Sequence, residues 1–255
     1  MIPAARRSKI LDIVKQRGAV SIPELEALLD VSAATIRRDL DALSDQHHLR
    51  RTHGGAFVEE ALLTTAEPEH AIQVLQMQDE KQRIGAVAVQ LIENGQSLLL
   101  DSSSTVLEAA RALTSYHDLT IVTNDILIAG ELADCPAVAA LIVTGGTVRK
   151  HHFTLGGTTT ADMLHGLRVD IAFLGVHALD EGGASETNLE VARVKTLMAQ
   201  AASRVVVLAD HTKLGRRAFA PIVPLKDIHD LVTDQEADTK TLTGLREHGL
   251  TIHLA

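Results

Sequence analysis

From residue 79 to residue 255, short apolar runs alternate with segments of helical periodicity, and this alternation limits the fold more than any other feature. Runs rich in Leu, Val and Ile are typical of buried strands, and several segments between them are long enough for helices. We predict helices at 79–93, 104–114, 125–133, 190–202 and 238–248, and strands at 97–101, 119–123, 138–143, 169–175, 204–209, 228–232 and 250–254. The alternation predicts an α/β fold in which a doubly wound, mostly parallel sheet carries helices on both faces.

The N-terminal part of the chain follows a different pattern, that of a small helical domain. Residues 6–16 have helical spacing and precede Gly18, a typical helix stop. Ser21 and Glu24 have the spacing of a capping box and open a second helix. Its inner face is predicted to carry Leu25, Leu28 and Leu29. A third helix follows after a short link, so the pattern predicts a helix-turn-helix.

Ser32 begins this third helix, whose outward face consists of small residues and arginines. Ser32 is a good N-cap, and Val31 can pack on Ile36 as a hydrophobic staple. The buried stripe is predicted to hold Ile36, Leu40 and Leu43. Small residues let a helix approach base edges, and Arg reads guanine or binds phosphate. The candidate DNA contacts are Ser32, Ala33, Ala34, Thr35, Arg37 and Arg38.

Residues 49–57 consist of two short extended runs around a glycine pair, which predicts a β-hairpin. A hairpin in this place is the wing of a winged helix-turn-helix. Its basic side chains are further candidates for contact with phosphates or the minor groove, and they are Arg50, Arg51 and His53.

Three motifs in this region resemble the DNA-binding domain of the DeoR family of bacterial transcriptional regulators. They are Arg6, Ile10 and Val14 at four-residue steps, then Ser32-x-x-Thr35-Ile36-Arg37-Arg38-Asp39-Leu40, and then Arg51-Thr52-His53-Gly54-Gly55-Ala56. The resemblance implies that the helix from Ser32 is the recognition helix. It also implies that the DNA-binding segment of the family corresponds to residues 20–39.

Charge is divided unequally between the two predicted parts of the chain. Residues 1–57 hold nine Lys or Arg and seven Asp or Glu, a net charge of +2, whereas the other 198 residues hold 15 and 26, a net charge of −11. An acidic body repels DNA and leaves binding to a small positive head, whose affinity as a monomer is expected to be weak. We therefore expect a homodimer or homotetramer.

The single cysteine, Cys135, cannot form an internal disulfide, and no apolar run approaches eighteen residues. These features favour a cytoplasmic protein with neither a signal peptide nor a membrane span. Residues 59–78 lack a strong period. We therefore predict that they link a winged helix-turn-helix domain of residues 1–58 to a second domain of residues 79–255.

Small polar residues gather at the predicted carboxyl ends of the strands, where ligands of such sheets bind. Residues 101–105 follow one strand and open a helix, so hydroxyls and backbone N–H groups converge where a phosphate can bind. Lys213 follows another strand, Lys195 is either a second cation of the site or a solvated helix residue, and residues 156–158 are predicted to open a further helix. The candidate effector contacts are Asp101, Ser102, Ser103, Ser104, Thr105, Asn124, Asp125, Gly145, Gly146, Lys195 and Lys213.

The second domain also resembles the DeoR sensor domain, whose fold is similar to that of ribose-5-phosphate isomerase. The matching segments are Glu80-Lys81-x-Arg83-Ile84, Asp101-Ser102-Ser103-Ser104-Thr105, Thr123-Asn124, Thr144-Gly145-Gly146, Val169-Asp170-Ile171-Ala172-Phe173-Leu174-Gly175 and Ala209-Asp210-His211-Thr212-Lys213. The resemblance implies that the serine and threonine loop, Asn124 and Lys213 hold a phosphorylated sugar whose presence weakens operator binding.

The alternative is an active sugar-phosphate isomerase or transferase with a DNA-binding head. Where such isomerases have an Asp-Gly-Ala-Asp-Glu run, residues 174–178 here read Leu-Gly-Val-His-Ala. Counting back from Asp210, Lys195 stands at the position of the general-base Glu, and it cannot remove a carbon-bound proton as a carboxylate does. Nearby acids that remain as substitutes are Asp180, Glu181 and Glu190.

A metal-dependent regulator is a third class, raised by thirteen histidines. His47-His48, His151-His152 and His211 have neither Cys partners nor helical i, i+4 spacing, so they form no recognisable site. We therefore predict no catalytic residues, no metal and no cofactor. The predicted function is that of a transcriptional regulator, a repressor of a carbohydrate-metabolism operon, which binds double-stranded operator DNA and a small phosphorylated sugar.

Overall fold

A computed structural model describes residues 2–17, 19–45, 48–51, 54–57, 77–150 and 152–255. The chain divides into two compact units, residues 1–76 and 77–255. The predicted linker lies outside the described residues except for Met77 and Gln78, its last two. Within the described ranges, no helix combines the length and the apolarity that crossing a bilayer requires.

The N-terminal unit has three helices and a small antiparallel sheet in its described residues. The helices are α1 (Pro3–Arg17), α2 (Ile22–Leu29) and α3 (Ala33–Asp45), and the strands are β1 (Ala19–Ser21), β2 (Arg50–Arg51) and β3 (Gly55–Phe57). The sheet order is β1-β3-β2, so β2 and β3 form the predicted wing hairpin. The sequence pattern missed β1, because three residues between two helices show no alternation.

Helix α2 begins at the predicted capping box. The Ser21 backbone N–H donates to Glu24 Oε2 at 2.8 Å, and the Glu24 backbone N–H donates to Ser21 Oγ at 3.4 Å. Leu25 is fully buried, but the prediction for Leu28 is wrong because 49% of that residue is exposed. At about 100° per residue, Leu28 lies outside the stripe that Leu25 and Leu29 share.

The C-terminal unit is built on a seven-stranded sheet of order β15-β14-β12-β9-β4-β5-β6 in which every neighbouring pair is parallel. These strands are β4 (Ser97–Leu100), β5 (Leu119–Thr123), β6 (Val138–Val143), β9 (Val169–Gly175), β12 (Ala202–Leu208), β14 (Asp230–Thr233) and β15 (Thr251–Leu254). The helices are α4 (Gln78–Ala88), α5 (Ser104–Arg111), α6 (Ile126–Leu132), α7 (Thr158–His165), α8 (Leu189–Ala201) and α9 (Thr239–Glu247).

Alternate residues of the central strands enter two separate cores. Leu98 and Leu100 pack with α4 and α5 on one face of the sheet, whereas Leu99 packs with α7 and α8 on the other. Phe173 of β9 is fully buried in the first of these cores. Helices therefore cover both faces, and the predicted doubly wound α/β fold is confirmed.

Five further short strands in this unit were not predicted. They are β7 (Thr147–Arg149), β8 (Thr154–Gly156), β10 (Ala178–Asp180), β11 (Gly183–Glu186) and β13 (Ala220–Val223). β7 and β8 form an antiparallel hairpin, and the other three form a separate antiparallel sheet of order β10-β11-β13. Each has only three or four residues, too few for a periodic pattern to emerge from the sequence.

Candidate functional site

Helix α3 presents the outward face that its sequence predicts. Ile36, Leu40 and Leu43 are fully buried. The exposed residues at its start and on its outer face include Ser32, Ala34, Arg37 and Arg38, whereas Ala33 and Thr35 are half-buried. The Ser32 carbonyl accepts the backbone N–H groups of Thr35 at 2.9 Å and Ile36 at 3.0 Å, so Ser32 occupies the N-cap position.

A buried charge cluster joins α3 to α1. Asp39 is 3% exposed, and its two oxygens accept from Arg6 Nε at 2.5 Å and from Arg7 Nε at 3.3 Å. Arg6 and Asp39 stand in two different sequence motifs quoted above, which gave no sign that they pair. Their contact fixes the packing of α3 on α1 and so the direction in which Arg37 and Arg38 project.

The wing residues lie at the limit of what the structure describes. Arg50 and Arg51 form β2 by their backbone, but their side chains, and all of His53, lie outside the described residues. Their contacts with DNA stay predictions.

In the C-terminal unit, a cavity of about 310 Å³ opens at the carboxyl end of the parallel sheet. Its lining residues are Asp101, Asn124, Thr147, Arg149, Thr154, Leu155, Gly156, Gly157, Glu190, Val191 and Val194. Asp101 and Asn124 are the residues that follow the paired positions Leu100 and Thr123 on adjacent strands. The cavity therefore lies where ligands of open α/β sheets are expected.

Lys195 lies beside this cavity in a buried cluster of charges. Its Nζ is 2.7 Å from Glu186 Oε1, 3.0 Å from Asp101 Oδ2 and 2.7 Å from the Gly175 carbonyl oxygen. Lys195 is 3% exposed, so the alternative that it is a solvated helix residue is wrong. A buried ammonium needs such partners because desolvation of an unpaired charge is very costly.

The protonation states in this cluster follow from burial and charge. Burial raises the pKa of Asp101 above its usual value, against the opposing effect of the Lys195 charge. Burial by itself lowers the pKa of Lys195, but the charges of Asp101 and Glu186 outweigh it and raise that pKa. Lys195 is therefore held protonated and cannot act as a base.

Two of the lining residues, Asp101 and Asn124, each have one buried side-chain oxygen with no hydrogen-bond donor within the described part of the chain. They are Asp101 Oδ1 and Asn124 Oδ1. The other oxygen of Asp101, Oδ2, accepts the Gly175 backbone N–H at 3.1 Å, and Asn124 Nδ2 donates to the Leu155 carbonyl at 3.1 Å. Both side chains are thus fixed by one end, while the other end meets no protein partner among these residues.

Several other predicted effector residues shape the backbone around the cavity instead of lining it. Ser103 Oγ accepts the Thr105 backbone N–H at 3.2 Å, and Asp125 Oδ1 accepts from Leu127 at 2.7 Å and Ile128 at 2.9 Å. Both side chains are N-caps, of α5 and α6. Burial raises the pKa of Asp125 to about 6, against the lowering effect of its two backbone bonds.

The remaining predicted positions are also near strand ends. Ser102 is half-buried and Ser104 is buried in the same loop. The Thr160 hydroxyl donates to the Gly145 carbonyl at 2.7 Å. Gly146 has a φ of 110°, and a Cβ built on it meets the Gly156 carbonyl oxygen at 2.4 Å. Lys213 is half-buried, and its charge lowers the pKa of Asp210 against the raising effect of burial. Among the described residues, Lys213 does not line the cavity.

Sequence reasoning missed the part of the wall that the hairpin β7–β8 and α8 supply. Thr147, Arg149 and Thr154 come from the hairpin, and Glu190 comes from the first turn of α8. Glu190 was considered only as a substitute acid. A three-residue strand carries no periodicity, so nothing in the sequence marks Arg149 as a wall residue.

His211 has carboxylate neighbours that its sequence context does not reveal. His211 Nδ1 is 2.8 Å from Asp234 Oδ1, and one ligand atom each from His211, Asp234 and Glu236 lie within 4.8 Å of one another. Glu236 also pairs with Arg83 at 3.3 Å.

Comparison with known proteins places both units in one family. The family model of the DeoR-like helix-turn-helix domain matches residues 6–61, and that of the DeoR C terminal sensor domain matches residues 76–235. The HTH-type transcriptional regulator GolR of Listeria innocua is 33% identical over 258 residues, which cover 100% of both chains. The chain belongs to the DeoR family of transcriptional regulators.

Other DeoR-family relatives are similar over almost the whole chain. The glycerol-3-phosphate regulon repressor of Escherichia coli K12 is 31% identical over 250 residues, 98% of each chain. The transcriptional repressor GlcR of Bacillus subtilis is 34% identical over 238 residues, 92% of this chain and 90% of that one.

Among solved structures, ribose 5-phosphate isomerase A from Methanocaldococcus jannaschii superposes with a TM-score of 0.41 at 18% identity, over 54% of this chain and 55% of that chain.

Proposed function

We propose that this DeoR-family regulator is a repressor of a carbohydrate-metabolism operon, and that it leaves its operator when a phosphorylated sugar or sugar alcohol fills the cavity of the C-terminal unit. The observation that carries the proposal is the cavity of about 310 Å³, whose lining includes Asp101 and Asn124, each with one buried oxygen that accepts no hydrogen bond from the described residues. Its volume is at the small end of the range for ligand pockets, roughly 300–1,000 Å³. The names of the glycerol-3-phosphate regulon repressor and GlcR support the same class of operon.

We further propose binding without turnover. Counting back from Asp210 places Lys195 where the isomerases have their general-base Glu, and the protonated state of Lys195 is stabilised by Asp101 and Glu186. Incubation of the protein with ribose 5-phosphate and hexose phosphates, followed by assay for isomerised product, tests this directly. Product formed at a rate proportional to protein concentration would contradict it.

The proposal also covers DNA binding: α3 and the wing contact the operator. It further assigns a symmetric homodimer or homotetramer to the protein. Two heads on one assembly make the second half-site contact intramolecular, which compensates for a head of net charge +2. Sedimentation of the full-length protein at micromolar concentration is expected to show a dimer or tetramer. A monomer that binds its operator with undiminished affinity would contradict this assignment.

The main experiment measures ligand binding and operator binding on the same protein. A thermal-shift screen of phosphorylated metabolites identifies a stabilising compound, since a ligand at 100 times its dissociation constant adds roughly 2.7 kcal/mol of stability. Operator binding is then measured by fluorescence anisotropy with and without that compound. Arg38→Ala is the control: it is expected to lose operator affinity and keep the thermal shift. A compound that stabilises the protein without changing operator binding would contradict the proposed release.

A further inference from the structure

Three side chains of the types that bind metal ions meet at the carboxyl end of the parallel sheet. His211 follows β12, Asp234 follows β14, the strand paired with β12, and Glu236 comes two residues later. One ligand atom from each residue lies within 4.8 Å of the other two. None of the three lines the cavity in the described part of the chain, so they form a separate group.

Asp234 is a buried carboxylate that pairs with no Lys or Arg of the described chain. It is 0% exposed, and its one ion-pair partner among these residues is His211. Three other buried aspartates, Asp39, Asp101 and Asp230, pair with Arg or Lys. A buried charge is paired or coordinates a metal ion because its desolvation is very costly. A neutral imidazole supplies no counter-charge, so a cation beside Asp234 is favoured.

Backbone groups hold the Asp234 carboxylate in place. Its Oδ2 accepts the His211 backbone N–H at 2.7 Å, and its Oδ1 accepts the Glu236 backbone N–H at 3.1 Å. A carboxylate oxygen has two lone-pair sites, so Oδ1 can bind an ion and keep its backbone hydrogen bond. Hydrogen bonds of this kind orient metal-binding carboxylates and strengthen binding.

The distance between the imidazole and this carboxylate is close to that of two ligands of one ion. His211 Nδ1 lies 2.8 Å from Asp234 Oδ1. Ligand atoms at about 2.1 Å from a shared ion lie roughly 3–4.2 Å apart. A small separation of the two atoms therefore admits an ion, which replaces the hydrogen between them. Glu236 is exposed, so its side chain can rotate to supply the third ligand.

The ligand set selects the class of ion. Mg²⁺ and Ca²⁺ prefer oxygen ligands alone, whereas an imidazole nitrogen suits Zn²⁺ and its neighbours among the transition metals. Two carboxylates balance the charge of a divalent ion.

Arg83 of α4 competes with such an ion for Glu236. Its Nη2 lies 3.3 Å from Glu236 Oε2, and the two side chains are 44% and 50% exposed. An exposed ion pair contributes little to stability. A divalent ion that also binds His211 and Asp234 is therefore expected to displace Arg83 from Glu236.

We propose that His211 Nδ1, Asp234 Oδ1 and a carboxylate oxygen of Glu236 bind one divalent transition-metal ion of the Zn²⁺ class, with water in the remaining coordination positions. The site goes beyond the proposed function, because it takes a cation and shares no residue with the cavity lining. Sequence spacing did not reveal it, since His211 and Asp234 are 23 residues apart and meet through the pairing of β12 with β14.

Equilibrium dialysis of the full-length protein against Zn²⁺, after removal of bound metal with a chelator, tests this site. We expect the wild-type protein to retain Zn²⁺ in the presence of excess Mg²⁺, and Co²⁺ bound in its place to give visible d–d absorption. Loss of a residue that merely orients a ligand weakens metal binding about 10–100-fold. His211→Ala and Glu236→Gln are therefore each expected to weaken the binding of one Zn²⁺ per chain at least about tenfold.

His117→Ala is the matched control. His117 Nδ1 also lies 2.8 Å from a carboxylate oxygen, that of Asp118, but the described residues supply no third ligand there. This variant is expected to bind Zn²⁺ as the wild-type protein does. Arg83→Met removes the competing cation and is expected to leave the affinity unchanged or to raise it by up to about fivefold. Circular dichroism establishes that each variant is folded, and the exposed Glu236→Gln keeps the test valid if His211→Ala unfolds.

A wild-type protein that retains no Zn²⁺, or that exchanges it readily for Mg²⁺, would overturn the inference. So would wild-type Zn²⁺ affinity in Glu236→Gln or in folded His211→Ala, and so would an equal loss in His117→Ala. Weaker Zn²⁺ binding by Arg83→Met would also overturn it, because Arg83 would then support the site instead of competing with the ion.

Discussion

Lys195 determines whether the charges buried under the cavity of the C-terminal unit are balanced. The ammonium group contacts Asp101 and Glu186 at 3.0 and 2.7 Å, and all three residues are at least nine-tenths buried. Removing one partner of such a cluster leaves uncompensated charge in a medium that solvates it poorly. A buried ion pair broken in this way typically costs about 3–5 kcal/mol.

Lys195→Met is therefore expected to lower the free energy of unfolding by about 3–5 kcal/mol in urea titrations. The exposed Lys226→Met is the matched control and is expected to change it by less than about 0.5 kcal/mol. Adding Asp101→Asn and Glu186→Gln to Lys195→Met removes the unbalanced charges and is expected to restore most of the loss. Equal stabilities of the Lys195 and Lys226 variants would contradict the role assigned to the cluster.

Asp125 gives the C-terminal unit a pH-dependent stability. Burial raises its folded-state pKa to about 6 from the ordinary value of 3.8, so the folded protein binds this proton more tightly than the unfolded chain does. Stability therefore falls as the pH rises from about 4 to about 6, and the penalty is fully present above that window. Asp125→Asn keeps a good N-cap without the charge.

We expect Asp125→Asn to stabilise the protein at pH 8 by on the order of 2 kcal/mol and to have little effect near pH 4. Asp238 is the matched control, because it caps α9 and the Thr241 backbone N–H lowers its pKa. Its contribution is present above its unfolded pKa, so Asp238→Asn is expected to have the opposite sign at pH 8. Urea unfolding at both pH values measures the two effects, and destabilisation by Asp125→Asn at pH 8 would contradict the sign.

At the scale of elements, the two glycines of the wing have different roles. A Cβ built on Gly55 meets the Val20 carbonyl oxygen at 2.1 Å and the Ser21 Cα at 2.8 Å, because β3 lies closely against β1. A Cβ on Gly54 has no described atom within 4 Å. Of these two positions, only position 55 therefore requires glycine because two backbones approach each other closely there.

Gly55→Ala is expected to separate β1 from β3 and to destabilise the N-terminal unit by at least about 1–3 kcal/mol, as overpacking does in other closely packed sites. Gly54→Ala is expected to change stability by less than about 0.5 kcal/mol. Thermal unfolding and operator binding, measured on both variants, test the difference. Wild-type behaviour of the Gly55 variant would show that β1 and β3 tolerate a side chain at this position.

The recognition helix supports a prediction about specificity. Arg38 is exposed on α3, whereas Asp39 next to it is buried against Arg6 and Arg7. If Arg38 contacts a base, Arg38→Ala costs about 1–3 kcal/mol of operator binding and relaxes the sequence preference at one base pair.

Asp39→Ala is expected to weaken binding to all sequences alike, because it loosens α3 from α1. Competition assays with single-base operator variants distinguish the two, and an unchanged preference in Arg38→Ala would contradict base contact.

The elements that could be predicted from sequence are those with a long apolar run or with apolar residues at regular helical spacing. β5, β6 and β9 coincide with the predicted strands, whereas the helix predicted at 79–93 ends as α4 at Ala88 and continues as a short 3₁₀ turn. Asp101 and Asn124 were found because polar residues after buried strands meet at one sheet edge. The hairpin that carries Arg149, and the contacts of Lys195 with Glu186, depend on tertiary packing, which leaves no local pattern in the sequence.

At the scale of the whole molecule, the two units divide the charge and the chemistry of the chain. The net charge of +2 in residues 1–57 favours DNA, and the net charge of −11 in the rest opposes non-specific binding. The acidic unit nevertheless carries the cavity proposed for an anionic ligand. Local cations therefore have to outweigh the overall negative charge of the unit, and Arg149 is the one Lys or Arg among the described residues of the cavity wall.

This arrangement leads to a prediction about the switch between the DNA-bound and released states. A ligand shifts that equilibrium only by its differential affinity for the two states, and moving it from 99:1 to 1:99 takes about 5.5 kcal/mol. Charge-assisted contacts summed over two or more subunits can supply this amount. If Arg149 contacts the phosphate of the ligand, Arg149→Ala removes one such contact from every subunit, and the substitution lies outside the DNA-binding unit.

We therefore expect Arg149→Ala to bind the operator with wild-type affinity and to resist release by the stabilising sugar phosphate at the concentration that frees the wild-type protein. Lys213→Ala is the comparison, because the charge of Lys213 acts on Asp210 and its side chain does not line the cavity within the described structure. Fluorescence anisotropy with labelled operator measures both variants. Normal release of Arg149→Ala together with resistance of Lys213→Ala would move the phosphate to the end of β12, whereas loss of operator binding without ligand would make Arg149 a structural residue.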